Sequence, residues 1–278
     1  MQDGRYMRVF AIKDDSLGDK ILAYLVYYEK ARNFYIELPD DADPWETPLL
    51  LSSFAEKKQF SIDSYFSRLW VQQRIIPPER QNIGSILKEN KLKEYDEFSL
   101  LLLSQGRCAQ DDCYIEEIRK EEINDLLFER WKYKIEDVLA LKDHFLLVFF
   151  RNNEVKIADM NKMIERYPSC KPYLNNKERF KRVEVQTDGY GICWSQTAAI
   201  SDRELYENSY PIPLSLDDFS DFVRYRVVTT AEACQILNCS RQNIDDLVKR
   251  NKLHPVKTSA RNKLFLRNEA IQRAKYEE

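Results

Sequence analysis

A group of polar side chains near the carboxyl end of the chain can form hydrogen bonds with nucleic-acid bases. Its members are Ser240, Arg241, Gln242, Asn243, Asp246, Lys249 and Arg250. An arginine guanidinium pairs with guanine through two hydrogen bonds, and the amides of glutamine and asparagine pair in the same way with adenine. Three basic residues follow, and they are suited to binding phosphate: Lys257, Arg261 and Lys263. The chemistry offered is therefore hydrogen bonding to base edges and to phosphate oxygens.

Two short capped helices are predicted to position these side chains. Thr229 or Thr230 can cap a helix that begins at Ala231, and Asn238 can adopt the left-handed conformation that ends it. Ser240 then caps a second helix, predicted over residues 241–250, which carries most of the polar group. The apolar residues of this second helix face the first helix: Ile244, Leu247 and Val248.

The residues after the second helix predict a β-hairpin and a last helix. Residues 253–257 and 263–266 read as short strands joined by a polar turn over residues 258–262, and Asn268 can cap a helix over residues 268–274. The whole stretch resembles the winged helix-turn-helix of excisionase and MerR-type regulators. The matching residues are Thr229, Ala231, Glu232, Ala233, Leu237, Ser240, Arg241, Ile244, Leu247, Val248, Lys249, Arg250, Lys252 and Leu253.

This resemblance implies a helix that reads the major groove and a wing that contacts phosphate. The stretch departs from the family in having Asn238 and Asn251 where glycine is common, and in carrying Asp245 and Asp246 on the second helix. Asp246 can accept a hydrogen bond from a cytosine amino group or pair with Arg250.

The distribution of charge supports a nucleic-acid partner for the carboxyl end. Residues 226–278 carry eleven Lys or Arg against six Asp or Glu, a net charge of +5, while the whole chain has a net charge of −3. Residues 1–225 therefore carry a net charge of −8, since −3 minus +5 is −8. An acidic body followed by a basic module is typical of a protein with a DNA-binding domain at one end.

Composition argues against several other classes of protein. The chain has six glycines and no Walker-type phosphate loop, which counts against a nucleotide-driven enzyme. Its six cysteines form no C-x-x-C pair, so we expect no metal site and no cofactor. No apolar run is long enough to cross a membrane, and no signal peptide is visible, so we expect a cytoplasmic protein.

The remainder of the chain predicts α+β domains with antiparallel hairpins. Strands are predicted over residues 7–13, two within 20–39 and three within 133–160, with helices over residues 61–76 (capped by Ser61), 80–90 and 94–103. Residues 133–209 resemble a small bacterial α+β family of unknown function whose members accompany toxin–antitoxin and regulatory genes. The features that carry this resemblance are Phe149, Phe150, Asp159, Trp194, Leu205 and Tyr206.

The amino-terminal residues 20–115 bear a fainter likeness to the amino-terminal subdomain of HipA-type toxins, without the kinase domain. That likeness rests on residues 48–52, 100–103, Gly106, Arg107 and Asp111. The predicted organisation is an α+β domain over residues 1–130, a small α+β domain over 131–213, a linker over 214–225 and a winged helix-turn-helix over 226–278.

Three functions are compatible with the sequence. We expect a bacterial or phage transcriptional regulator that binds double-stranded DNA as a homodimer, with the dimer contact in residues 1–225. An antitoxin or interaction module that binds a small toxin-like protein, and whose DNA binding is autoregulatory, is the alternative. An enzyme in the amino-terminal block is the third, and its polar candidates are Arg74, Arg80, Arg107, Asp111 and Asp112.

One sequence pattern occurs twice. RQNIGSILKENKL at residues 80–92 agrees with residues 241–253 at eight of 13 aligned positions. Both copies predict a short helix with a buried apolar triad, which in the first copy is Ile83, Ile86 and Leu87. Only the second copy has a capped helix before it and a basic hairpin after it, so we expect DNA contact from residues 241–250 alone.

Overall fold

The computed structural model describes residues 7–123, 125–259 and 262–276. The protein is of the mixed α+β class with antiparallel sheets, and it divides into two compact units. The first unit comprises Met1–Asn152 and Ala158–Ser209, and the second comprises Asn153–Ile157 and Tyr210–Glu278.

A five-stranded antiparallel sheet lies at the centre of the amino-terminal part of the first unit. Its strands lie in the order β4-β3-β2-β1-β5, and their bounds are β1 Met7–Asp14, β2 Ala23–Tyr28, β3 Asn33–Glu37, β4 Ser61–Ile62 and β5 Cys113–Ile118. The inner strands are buried on both faces, so their sequences lack the alternation of a half-exposed strand. Phe10 and Leu25 belong to the core on one face, and Val26 and Tyr35 to the core on the other.

Five short helices accompany this sheet: α1 Leu49–Glu56, α2 Ser64–Gln72, α3 Ile83–Glu89, α4 Glu97–Ser104 and α5 Asp125–Trp131. The prediction that Ser61 caps a helix was wrong. Ser61 pairs with β3 as part of β4, and its hydroxyl donates to Glu37 at 2.7 Å. Asp63 caps α2 instead, accepting from the backbone N–H of Phe66 at 2.9 Å.

The remainder of the first unit contains two antiparallel hairpins and several short helices. The bounds are β6 Ile135–Ala140, β7 Phe145–Phe150, α6 Met160–Met163, α7 Lys171–Leu174, α8 Lys177–Phe180, β9 Glu184–Val185, β10 Gly191–Ser195, β11 Ala198–Ser201 and α9 Asp202–Asn208. Strand β6 pairs with β7, and β10 pairs with both β9 and β11. Gly189 has a φ of +81°, and a Cβ at this position would collide with the backbone of Ile135, so only glycine fits.

The second unit contains the carboxyl-terminal elements. Strand β8 spans Glu154–Asp159, and its first residues pair with β12 Tyr210–Ser215. The elements that follow are α10 Leu216–Arg226, β13 Val227–Thr229, α11 Thr230–Leu237, α12 Arg241–Lys249, β14 Pro255–Thr258, β15 Lys263–Leu266 and α13 Arg267–Tyr276. Strands β13, β15 and β14 form an antiparallel sheet with β15 in the middle.

Three features of the second unit differ from the sequence interpretation. Strand β13 was not predicted, because its three residues are recognisable as a strand only once β15 lies beside them. The prediction that Asn268 caps the last helix was wrong, because α13 begins at Arg267 and Asn268 lies inside it. The predicted linker, residues 214–225, contains most of α10. Among the described residues, no helix is long and apolar enough to span a bilayer.

Candidate nucleic-acid interface

Local capping interactions fix the first of the two helices in the candidate interface. Thr229 and Glu232 form a capping box at the start of α11: the Thr229 hydroxyl accepts from the Glu232 backbone N–H at 3.3 Å, and the Glu232 carboxylate accepts from the Thr229 backbone N–H at 2.7 Å. Asn238 ends the helix with a φ of 49°, in the left-handed region that asparagine tolerates. The chain then turns through Cys239 into the next helix.

Helix α12 begins at a capping serine and buries one face. The Ser240 hydroxyl accepts from the Asn243 backbone N–H at 3.2 Å. Ile244 is completely buried, and it shares a core with Ala233, Leu253 and Phe265. Leu247 and Val248 are half-buried against the same core, as the predicted apolar triad requires. This burial fixes the rotation of α12 and therefore decides which side chains face solvent.

The solvent-facing side of α12 carries the predicted base-reading residues. Ser240, Arg241, Gln242, Asn243, Lys249 and Arg250 are exposed, and Asp246 is half-buried. The Asp246 carboxylate lies 3.9 Å from the Lys249 ammonium group, so its partner is Lys249 and not Arg250. The structure thus brings the polar group together on one side of a single helix.

The hairpin places only part of its predicted basic set in solvent. Lys257 on β14 is exposed. Lys263 on β15 is ion-paired with Asp245 of α12, and its hydrogen bond is the first cause of the lowered pKa of the Asp245 carboxyl. Arg261 lies outside the described residues. The Ser259 backbone N–H donates to the Asn262 carbonyl at 2.8 Å.

Helix α13 is tied to the segment that follows α12. The Arg273 guanidinium is 9 % exposed and donates to the Lys252 carbonyl at 3.0 Å. Arg273 is therefore buried against the segment that follows α12 and does not lie on a solvated face. The His254 imidazole lies 2.8 Å from Glu269, which also accepts from the His254 backbone N–H.

The two copies of the repeated pattern fold differently. In the first copy α3 begins only at Ile83, so the Arg-Gln-Asn tripeptide precedes the helix, whereas in the second it forms the first turn of α12. No residue of α3 is buried, and its apolar triad is only half-buried, contrary to the prediction of a buried triad in both copies. The two copies therefore expose different side chains although their residues largely agree. The reason is that a capping residue, Ser240, directly precedes the pattern only in the second copy.

Three of the five polar residues considered for an enzyme, Arg74, Asp111 and Arg107, lie in two separate ion pairs. Arg74 is buried, stacks on the Trp70 ring at 3.7 Å and pairs with Asp111. Arg107 pairs instead with Asp15 at 2.6 Å. No cluster of three or more potential metal ligands occurs within the described part of the chain.

A buried polar network in the first unit was missed by sequence reasoning. Lys134 is 1 % exposed, and its ammonium group donates to Asp188 at 2.9 Å and to the Tyr28 hydroxyl at 3.2 Å. Arg151 donates to Asp188 at 2.6 Å. Burial alone would raise the pKa of Asp188, but the charge of Lys134 and these hydrogen bonds lower it to about 2. Burial lowers the pKa of Lys134.

Comparison with known proteins identifies one similar family. Residues 135–211 match the family described as Protein of unknown function (DUF2442). This match overlaps nearly all of residues 133–209, where the sequence predicted a family of unknown function. No curated protein and no solved structure matches the chain. The resemblances noted for residues 227–274 and 20–115 stay predictions.

Proposed function

We infer that this protein binds double-stranded DNA through a winged helix-turn-helix formed by residues 227–276, and that it acts as a transcriptional regulator. One observation carries the proposal: the rotation of α12 that buries Ile244 leaves Arg241, Gln242 and Asn243 exposed at its amino-terminal end. The amino-terminal end of the second helix enters the major groove in helix-turn-helix proteins. The net charge of +5 over residues 226–278 supports an anionic partner.

The side chains divide between reading sequence and binding phosphate. Arg241 is suited to guanine, and Gln242 and Asn243 are suited to adenine, because their groups match the acceptors and donors on those base edges. Lys249, Arg250 and Lys257 set affinity and register through phosphate. Lys263 contributes less than these three, because Asp245 already neutralises it.

A matched pair of double variants tests the reading helix. Arg241→Ala with Lys249→Ala should weaken binding by about tenfold per residue and flatten the dependence of affinity on salt. Arg80→Ala with Lys88→Ala changes the aligned positions of the first copy and should leave both quantities unchanged. Fluorescence anisotropy with duplex DNA over a range of salt concentrations measures both. Equal effects of the two double variants would refute the assignment to α12.

Helix α10 offers the contact that a dimer requires. None of its residues is buried, and Phe222 and Val223 are 51 % and 59 % exposed. Its first half carries three aspartates and its second half two arginines, at positions 217, 218, 221, 224 and 226. Arg224 is already paired with Asp221 of its own helix at 2.9 Å, and two copies of α10 packed antiparallel about a two-fold axis would place Asp217 and Asp218 of each copy against Arg226 of the other. We therefore assign the occupant of this face to a second copy of the chain.

Sedimentation of the full chain tests this contact. Phe222→Glu with Val223→Glu should convert a dimer into a monomer, because the charges would be buried without partners. Tyr65→Glu, which alters an exposed aromatic residue of α2, should leave the dimer intact. A wild-type protein that is monomeric at all concentrations would refute the dimer. A stoichiometric complex with one small protein would then favour the antitoxin alternative.

A further inference from the structure

A cavity of about 420 Å³ in the first unit, distant in sequence from the proposed DNA-binding helix, has the character of a ligand site. Its size lies in the range of small-molecule pockets. Three aromatic residues line it: Phe60, Tyr133 and Tyr206. The Tyr133 and Tyr206 rings lie 4.6 Å apart between centroids, and together they form an aromatic wall.

Both arginines of the cavity wall are already paired. The Arg130 guanidinium contacts Glu37 at 3.2 Å and Asp40 at 3.3 Å. The Arg203 guanidinium contacts Glu207 at 2.7 Å and donates to the Lys58 carbonyl at 2.7 Å. The charge of each arginine is therefore already balanced by a carboxylate, so neither supplies the countercharge for a further one.

Asp202 is the carboxylate of the cavity wall that pairs with neither arginine. Its side chain is buried, with 8 % of the residue exposed, and it accepts from the Arg203 backbone N–H at 2.7 Å. It has no ion-pair partner in the described part of the chain. The wall carries Asp40, Asp202 and Glu207 against Arg130 and Arg203, a net charge of −1 when all are ionised.

We propose that this cavity binds a small organic ammonium ion, with the ammonium group paired to Asp202 and the apolar body against Tyr133, Tyr206 and Phe60. An ammonium ion supplies the countercharge that the buried carboxylate lacks. The aromatic rings provide apolar surface for the body of such an ion, while Asp202 provides the negative charge that its ammonium group requires. A neutral or anionic ligand would leave Asp202 unpaired.

The surroundings of Asp202 make this binding depend on pH. Burial raises the pKa of the Asp202 carboxyl to about 7; the Arg203 backbone N–H and Lys134 oppose the rise, and Glu37 adds to it. The other charged groups of the wall are Arg130, Asp40, Glu207 and the Arg203 guanidinium. Only the ionised carboxylate attracts the ligand, so binding should weaken as the pH falls through 7.

Isothermal titration of the full chain with phenethylamine tests the proposal. The amine keeps its proton throughout the range used, as lysine does. Binding should be saturable near pH 8 and about tenfold weaker near pH 6, where about a tenth of the carboxyl is ionised. Phenethyl alcohol, which has the same ring without the charge, should bind at least about tenfold more weakly.

Two variants distinguish the contribution of the buried Asp202 carboxylate to ligand affinity from that of the total negative charge of the cavity wall. Asp202→Asn should lose about tenfold or more in affinity near pH 8 and lose the pH dependence. Asp40→Asn removes an equal charge from the same wall, and it should change the affinity by less than about threefold because Asp40 is exposed and Arg130 keeps its ion pair with Glu37. Absence of saturable binding up to about 10 mM, or equal affinity of wild type and Asp202→Asn, would overturn the proposal.

Discussion

Replacing Asp202 by asparagine should stabilise the protein at neutral and alkaline pH. Asparagine has nearly the same shape and keeps an oxygen for the Arg203 backbone N–H, which donates at 2.7 Å. It removes a carboxyl that must ionise while it is buried. The pKa of Asp202 rises from 3.8 to about 7 in the folded protein, chiefly through burial.

The sign and size of this effect follow from proton linkage. An acid whose pKa is raised by folding holds its proton more tightly in the folded state, so stability falls as the pH rises from about 4 to about 7. A difference of about three pKa units corresponds to about 4 kcal/mol near pH 8 and about 1 kcal/mol near pH 4.5. Asp202→Asn should therefore raise the free energy of unfolding by up to about 4 kcal/mol near pH 8, and by much less in acid.

Urea unfolding at the two pH values measures this difference. The fluorescence of the four tryptophans, all in the first unit, reports the transition. Glu207→Gln is the control, and it should shift the midpoint little at either pH because Glu207 is exposed. An equal shift at both pH values, or destabilisation near pH 8, would refute the reasoning that Asp202 ionises at a cost.

Three further changes test other parts of the structure. Lys134→Met should destabilise the first unit by about 3–5 kcal/mol in thermal unfolding, because it leaves Asp188 buried without its ammonium partner. Asn238→Gly should keep or slightly raise stability, whereas Asn238→Ala should cost about 1 kcal/mol, because the residue has a positive φ. Asp245→Ala should raise DNA affinity several-fold and steepen its salt dependence, because it frees Lys263 to bind phosphate.

Each of these changes has a control in the same chain. Lys132→Met removes an exposed lysine whose partner, Glu129, lies on the surface, and should leave the unfolding temperature within about one degree. Asn243→Gly places glycine inside α12 and should lower stability by about 0.3 kcal/mol, because asparagine is itself a poor helix former. Asp137→Ala removes a negative charge from the first unit and should leave DNA affinity unchanged. A Lys134→Met protein as stable as the wild type, or an unchanged affinity for Asp245→Ala, would contradict the corresponding argument.

The elements of the carboxyl-terminal module could be predicted because their signals are local. The Thr229 cap acts within three residues, as does the Ser240 cap, and the left-handed Asn238 needs only its own backbone. The turns of the middle hairpins depend on equally local chemistry, since Asn153 and Gly189 have positive φ, which asparagine and glycine tolerate. Such signals depend only on consecutive residues, so they can be recognised before the fold is known.

The ion pairs and hydrogen bonds of the charged side chains could not be predicted, because they join residues distant in sequence. Tyr28 and Asp188 are 160 positions apart, and Lys263 and Asp245 meet only when the hairpin packs beside α12. In the sequence Asp202 looks like an ordinary acid at a helix start, and nothing near it signals burial. The repeated pattern also shows that sequence alone does not fix local structure. The same Arg-Gln-Asn tripeptide forms a loop at Arg80 and a helical turn at Arg241.

Protection of guanine N7 in a selected DNA duplex is the most direct test of the proposed function. The N7 atom lies in the major groove, and an arginine paired with guanine covers it. We predict that the wild-type protein protects at least one guanine N7 from methylation in each half-site, and that Arg241→Ala loses this protection while Arg80→Ala retains it. A footprint without N7 protection, or one unchanged by Arg241→Ala, would contradict the account.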